Sequence, residues 1–254
     1  VTRDSVGVVV PAYEPDVSRL RNYVEAIEGS LSPTAILVEL DAPATGLRDR
    51  LADLPGRVET APHRRGKGAA ITAGFERLDT DVLAFVDADR STPVASLGEV
   101  LDPVVSARSD LAVGSRRHPD AEIVSQQTVL RQLLGDCYAW IAGRLLSVSL
   151  HDYQCGAKAI RADGWERVRE HLYEPGFAWD IELVAIAGAL DLCVREVPVE
   201  WRDRAGSTVD PVRDAATLFR ALLAARYRAD RLRENGRQTT NEVRNQGVPP
   251  LVDR

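Results

Sequence analysis

Val6-Gly-Val-Val-Val10 is a short apolar run stopped by Pro11, and three similar runs follow it: Ala35–Val38, Val82–Val86 and Asp110–Gly114. Each is too short for a helix and largely apolar, so each reads as a buried strand. Between them the period lengthens. Leu20, Val24 and Ile27 share one face of a segment that follows Asp16, and residues 47–54, 68–78 and 97–105 also read as helices. Strands alternating with helices of about ten residues predict βαβ units, hence an α/β fold with a mostly parallel central sheet flanked by helices. Ligands of such sheets bind beyond the carboxyl ends of the strands. Tyr13, Asp41, Asp87 and Arg116 all follow predicted strands, so the pattern predicts that they converge on one crevice.

The second half is patterned differently. Residues 130–146 form a long helical pattern broken by Asp136 and Arg144, too polar to span a bilayer. Residues 157–160 and 192–197 read as strands, with a helix over 179–189 between them. A last helix runs from Pro211 to about Arg233. It carries Leu218, Phe219, Leu222 and Leu223 with Arg220, Arg226, Arg228, Arg231 and Arg233. That basic amphipathic pattern suits an anionic membrane surface, and it equally suits a helix packed on the domain with a solvated basic face. No internal repeat is visible. The pattern predicts one domain over residues 1–235 and an unordered polar tail over 236–254.

Composition narrows the class. With 44% hydrophobic and 28% charged residues, the 254-residue chain is that of an ordinary soluble protein, and a net charge of −6 argues against a nucleic-acid partner. Three widely spaced cysteines give neither a disulfide framework nor a zinc pattern. The absence of an apolar 18-residue window and of a signal-peptide pattern leads to the expectation of a cytoplasmic protein. Of the 32 basic residues only Lys67 and Lys158 are lysine, and both stand next to or near glycine, in Arg65-Gly-Lys-Gly68 and Gln154-Cys-Gly-Ala-Lys158. In a chain that defaults to arginine, a retained lysine points to a need for a compact, rotatable ammonium.

The sharpest chemical signal is Val86-Asp-Ala-Asp-Arg-Ser91 at the end of an apolar strand. Residues i and i+2 of a strand share a side, so Asp87 and Asp89 can direct two carboxylates to one point. Such a pair suits Mg²⁺ or Mn²⁺ carrying a diphosphate, because hard cations take one or two carboxylates and fill the remaining positions with phosphate oxygens and water. The same residues also suit an Asx turn that caps the helix beginning near Pro93.

These motifs, taken in order, resemble a known family. Val9-Val-Pro-Ala-Tyr-Glu14, Arg65–Gly74, Val86–Ser91 and Gly114-Ser-Arg116 are similar to the successive motifs of family-2 glycosyltransferases with a nucleotide-diphospho-sugar (GT-A type) fold. Asp152–Lys158, Phe177–Glu182 and Val197–Ser207 narrow the likeness to the polyprenyl-phosphate branch, which includes dolichyl-phosphate mannosyltransferases and, closer in detail, dolichyl-phosphate β-glucosyltransferases. The resemblance implies an inverting enzyme that moves a hexose from UDP-glucose or GDP-mannose to a lipid phosphate, with a nucleotide-sugar half at about 1–117 and an acceptor half at about 118–235. It implies that Pro11, Ala12, Tyr13 and Glu14 line the nucleoside pocket and that Asp41 bonds the base. Asp87 would stand near ribose and metal, Asp89 on the metal, Lys67 near the nucleotide and Asp180 on the acceptor side.

An ionised phosphate acceptor is already a nucleophile, so positioning matters more than a strong base. Arg116, Arg131, Arg202, Arg204 and Ser207 are the candidate acceptor-phosphate ligands, and Asp89, Arg116 and Asp180 the candidate catalytic residues. Two departures from the branch stand out. Leu40-Asp-Ala-Pro43 replaces the usual Asp-Asp-Gly-Ser, and Thr208 stands where a lysine normally follows Gly-Ser. Ser91, a small residue where mannosyltransferase relatives often carry glutamine, tilts the sugar toward glucose. The expected enzyme sits peripherally on the inner face of the membrane. The alternatives are transfer to a soluble phosphorylated or carboxylated acceptor, and a weakly active nucleotide-sugar-binding protein.

Overall fold

The computed structural model describes residues 4–122, 129–202, 211–237 and 248–254. In chain order the elements are β1 (Val6–Tyr13), α1 (Val17–Leu31), β2 (Ala35–Asp41), α2 (Leu47–Arg50), β3 (Arg57–Ala61), α3 (Lys67–Phe75), β4 (Val82–Val86) and α4 (Val94–Val105). They continue with β5 (Leu111–Ser115), α5 (Val129–Leu145), β6 (Ala157–Arg161), α6 (Ala162–Val168), α7 (Trp179–Ala189), β7 (Val194–Pro198) and α8 (Pro211–Arg237). Single 3₁₀ turns lie at Arg169–His171 and Leu251–Asp253.

The strands form one seven-stranded sheet in the order β3-β2-β1-β4-β6-β5-β7. Alternate residues of each central strand enter opposite cores. Val9, Leu37, Leu83 and Phe85 join α3, α6 and α7 on one face, while Val8, Val10, Ile36, Val38, Ala84 and Val86 meet α1 and α4 on the other. Burial on both faces is why these strands read as unbroken apolar runs. The order of α1 is set locally by Asp16, whose side chain accepts from Arg19 N at 3.0 Å and caps the helix.

The sheet is parallel except for β6, which pairs antiparallel with both β4 and β5. Two elements escape the sequence pattern. β3 is a polar edge strand with a single neighbour, and α6 follows β6 with no intervening loop. Of the tail expected over 236–254, residues 238–247 lie outside the described residues. α8 continues to Arg237, and Leu251 is buried with its N–H donating to Leu172 O at 2.9 Å. Apolar contact with the 172 segment gives this otherwise polar end a place to dock.

α8 packs on α7 and α5 through Leu222, Ala225 and Ala229, at a spacing that keeps one face inward. Its arginines are largely committed to that packing. Arg228 pairs with the buried Glu182, Arg226 donates to Leu145 O at 3.0 Å and Arg233 to Gly188 O at 3.0 Å. The packed-helix alternative therefore accounts for this part of the basic face.

Candidate active site

The crevice opens where β1 and β4 part. They are in register from Val6 opposite Val82 to Val9 opposite Phe85. Beyond that level β1 runs on beside β2 until Tyr13 faces Asp41, whereas β4 stays with β6 and Asp87 N donates to Gly156 O at 2.9 Å. The direction of winding reverses at this point, which is where open α/β sheets bind their ligands. Pro11 and Ala12 lie in the last turns of β1, Pro11 half-buried and Ala12 buried. Tyr13 is 41% exposed, and the Arg64 guanidinium sits 4.2 Å above its ring centroid. Glu14, exposed at φ 46°, turns the chain toward α1.

On the β2 side, Asp41 is buried and fully engaged by the loop before α3. Its Oδ2 accepts from the backbone N–H groups of Arg65 (2.7 Å) and Gly66 (3.0 Å), and its Oδ1 accepts from Arg65 Nε at 2.7 Å. Arg65 also reaches Glu39 at 2.8 Å, and Glu39 in turn holds Arg77 at 2.6 Å. Asp41 thus fixes the loop that delivers Lys67. Glu39 is a site-supporting residue outside every quoted motif, and Arg65 opens the Arg65–Gly74 motif without having been given a role of its own. A buried acid two positions before a strand-end aspartate on the same face was the available signal.

Lys67 is the first residue of α3, and the loop comes close because Gly66 precedes it at φ 101°, where a Cβ would lie 2.5 Å from Pro175 O. The ammonium bridges two carboxylates, Asp87 Oδ1 at 2.9 Å and Asp180 Oδ2 at 3.1 Å. The other Asp180 oxygen accepts from Lys158 Nζ at 2.5 Å, and Lys158 also donates to Cys155 O at 2.8 Å. Both lysines of the chain therefore meet on one buried aspartate. Lys158, absent from the candidates named above, was nonetheless marked by the scarcity of lysine. Burial alone would lower Lys67, but Asp180 and Asp87 outweigh it and hold the ammonium above its usual range. Burial pushes the Asp87 carboxyl up, Asp89 and Asp180 add to the rise, and Lys67 opposes it. Glu182, on the same helix as Asp180, points elsewhere and accepts from Tyr173 N and Glu174 N, both at 2.8 Å.

Strand alternation is not what pairs Asp87 with Asp89, since β4 ends at Val86. Asp89 is exposed in the following turn, where its Oδ1 accepts from Ser91 N at 2.8 Å and Arg90 takes φ 60°. An Asx turn is formed, but it does not cap α4, whose N-cap Pro93 receives no side-chain hydrogen bond; it fixes the Asp89 carboxylate beyond the end of β4. Among the described residues no cluster of three or more His, Cys, Asp or Glu is arranged to hold an ion. Two hard carboxylates beside an open crevice nevertheless match the donor set of Mg²⁺ or Mn²⁺ that arrives with phosphate oxygens and water. The donor chemistry of Asp87 and Asp89 fits such a cation, and they are the residues that would hold it.

Arg116 follows β5, as its motif suggests, but its fork is closed on Asp152: Nε to Oδ2 at 2.6 Å and Nη2 to Oδ1 at 3.0 Å. Burial raises the Asp152 carboxyl, yet the pairing with Arg116 and the N–H groups of Arg116 and Gln154 bring it below the ordinary carboxylate range. A phosphate would meet only the outer N–H groups of Arg116. Arg202 is brought to the Asp89 turn by its backbone, its N–H donating to Ser91 O at 3.0 Å, while its side chain pairs with Glu200 at 2.6 Å. Arg131 lies in the first turn of α5. Its side chain, Arg204, Ser207 and Thr208 lie outside the described residues.

A model of the family described as "Glycosyl transferase family 2" matches residues 7–168. The chain belongs to glycosyl transferase family 2. This family-2 chain is 31% identical over 219 residues to the glycosyltransferase AglD of Haloferax volcanii, an alignment covering 82% of the chain and 35% of that relative. Over 242 residues it is 26% identical to a dolichyl-phosphate beta-glucosyltransferase of Dictyostelium discoideum, covering 88% and 74%. The corresponding human protein is 29% identical over 177 residues, covering 68% and 55%. The chain thus spans 35% of AglD and about half the length of several other curated relatives. Among solved structures, glucosyl-3-phosphoglycerate synthase from Mycobacterium tuberculosis with Mn²⁺, UDP-glucose and phosphoglyceric acid superposes with a TM-score of 0.69 at 15% identity, covering 88% of this chain and 80% of that one. Mannosyl-3-phosphoglycerate synthase from Rubrobacter xylanophilus gives 0.64 at 18%, covering 97% and 79%. At such identities the likeness is one of fold, the GT-A type.

Proposed function

We propose that this family-2 glycosyltransferase moves a hexose, glucose before mannose, with inversion from a nucleotide-diphospho-sugar to a polyprenyl or dolichyl phosphate. The observation that carries the reading is Lys67 bridging Asp87 and the buried Asp180, with the exposed Asp89 turn two residues beyond Asp87. Pro11 to Glu14 and the Arg64–Arg65 loop form the nucleoside side, and Asp41 fixes that loop. Asp87 and Asp89 would hold Mg²⁺ or Mn²⁺ together with the donor, a site that would supply charge neutralisation to the departing diphosphate. The acceptor enters from the Asp180 side, where the outer edge of Arg116, together with Arg131, Arg202, Arg204 and Ser207, orients its phosphate oxygen for in-line attack. The names of the curated relatives favour a lipid phosphate and glucose.

The test uses the full chain with radiolabelled UDP-glucose or GDP-mannose, Mg²⁺ or Mn²⁺ and dolichyl phosphate. Label extracted into the organic phase supports the reading, and the donor that supplies it identifies the sugar. Label on a new water-soluble product with an added phosphorylated acceptor would replace the lipid by a soluble one. Donor binding without turnover would leave a nucleotide-sugar-binding protein.

A further inference from the structure

We propose that Lys67 is a resident counter-cation of Asp87: it gives this carboxylate up to the divalent cation when the donor binds and passes its own charge to the diphosphate. Throughout the exchange Lys158 holds Asp180 in place. The inference rests on the donor and metal reading above and adds to it an order of events.

The two lysines differ in the freedom that this exchange requires. Lys158 is 1% exposed in β6, in register with Phe85 on one side and Val113 on the other, and tied to Cys155 O and Asp180. It has nowhere to go. Lys67 begins a helix on the crevice wall, between Gly66 and Gly68, and carries its ammonium 5.1 Å from the centroid of Phe85 and 6.0 Å from that of Phe177, an aromatic ring that is 65% exposed. Its four-carbon stem can trade one partner for another while Asp180 keeps hold of it. An arginine fork, committed to a planar geometry, trades less readily.

Charge dictates when the trade occurs. Asp87, Asp89 and Asp180 face Lys67 and Lys158, so the cluster carries one net negative charge as it stands. A divalent cation added to Asp87 and Asp89 without a diphosphate would turn that excess positive and face two ammonium groups in a confined space, an arrangement disfavoured by like-charge repulsion. A diphosphate arriving with the cation brings the compensating negative charge and offers Lys67 a new acceptor. Cation and diphosphate are therefore expected to bind together, each weakly without the other.

Having only two lysines makes the exchange directly visible. Protein labelled with ¹³C,¹⁵N-lysine gives two side-chain signals, which Lys67→Met assigns. Adding Mg²⁺ with UDP, and then with GDP, to the native chain should move the Lys67 signal and leave that of Lys158 in place. Lys67→Met should also bind Mn²⁺ without nucleotide about tenfold more tightly than the native chain, because a competing ion pair is gone, and should gain less from added UDP. Calorimetric binding of Mg²⁺ and nucleotide with both lysine signals unmoved would overturn the proposal alone. A native chain that binds neither would overturn it together with the reading beneath it. The lysine spectrum of the native chain decides the matter even if the Lys67→Met variant fails to fold.

Discussion

On the proposed function the carboxylates of the site divide the work of holding shape and holding ligand, and Asp89 is where the two can be separated. It is exposed, and its Oδ1 caps the turn by accepting from Ser91 N. An asparagine keeps that acceptor and removes the charge, so Asp89→Asn is expected to melt with the native chain while turnover falls on the order of a hundredfold or more, the usual scale for losing one electrostatic anchor of a transition state. Thermal unfolding and a metal titration of the transferase rate check the two halves of the statement. Near-native turnover would remove Asp89 from the metal site. At this scale much was legible in the sequence. The aspartate pair stood out because it ends an apolar strand, and Lys67 and Lys158 because lysine is scarce. The partners were not legible: nothing in the spacing says that Asp180 lies between both lysines, or that Asp41 spends its oxygens on Arg65 and Gly66. Those contacts join segments up to 113 positions apart.

The loops that follow β5 and precede β6 meet in the Arg116–Asp152 pair, and its stability should depend on pH. Asp152 is buried and its folded carboxyl lies below the ordinary value. A lowered folded pKa means that the pair contributes fully above the unfolded value near pH 4, and that the contribution disappears as pH falls through the lowered value. Asp152→Asn leaves Arg116 without its charge partner, and breaking a buried pair in this way costs about 3 kcal/mol. Denaturant unfolding should therefore show that deficit at pH 7 and a shrinking gap between variant and native chain as pH drops below 4. A gap independent of pH would mean that the carboxylate's charge is not what the fold uses. The elements themselves were legible where burial was two-sided. β1, β2, β4 and β5 read as continuous apolar runs because both faces are covered. β3 did not, since an edge strand with Arg57 and Glu59 toward solvent lacks that run, and the antiparallel direction of β6 leaves no trace in its own residues.

Across the whole molecule, the sequence indicated the fold class and the crevice because both follow from alternation of elements. It did not indicate which helix faces remain uncovered, since that depends on what packs where. α8 illustrates the point: three of its arginines, Arg226, Arg228 and Arg233, tie it to the body, yet Phe219 and Leu223 stay 42% and 44% exposed with Tyr227 beyond them at 57%. The spacing of these three residues places them on one stripe of the helix. Beside α8, α5 leaves Trp140 62% exposed under the guanidinium of Arg144. No helix among the described residues is long and apolar enough to cross a membrane. If the acceptor is a lipid phosphate, these aromatic and aliphatic side chains would enter the interface, with arginines facing anionic headgroups. On the proposed function, the chain should co-sediment with vesicles containing anionic phospholipid at low salt and be released as salt screens the attraction. Replacing Phe219 and Leu223 together by serine should weaken binding by more than tenfold, because each buried apolar side chain is worth about 1.5–3 kcal/mol. The substitutions lie outside the crevice, so transfer to a detergent-dispersed lipid phosphate should persist while transfer on vesicles falls. A native chain that stays in the supernatant at every salt concentration would show that this stripe does not meet a membrane, and that the acceptor reaches Asp180 by another route.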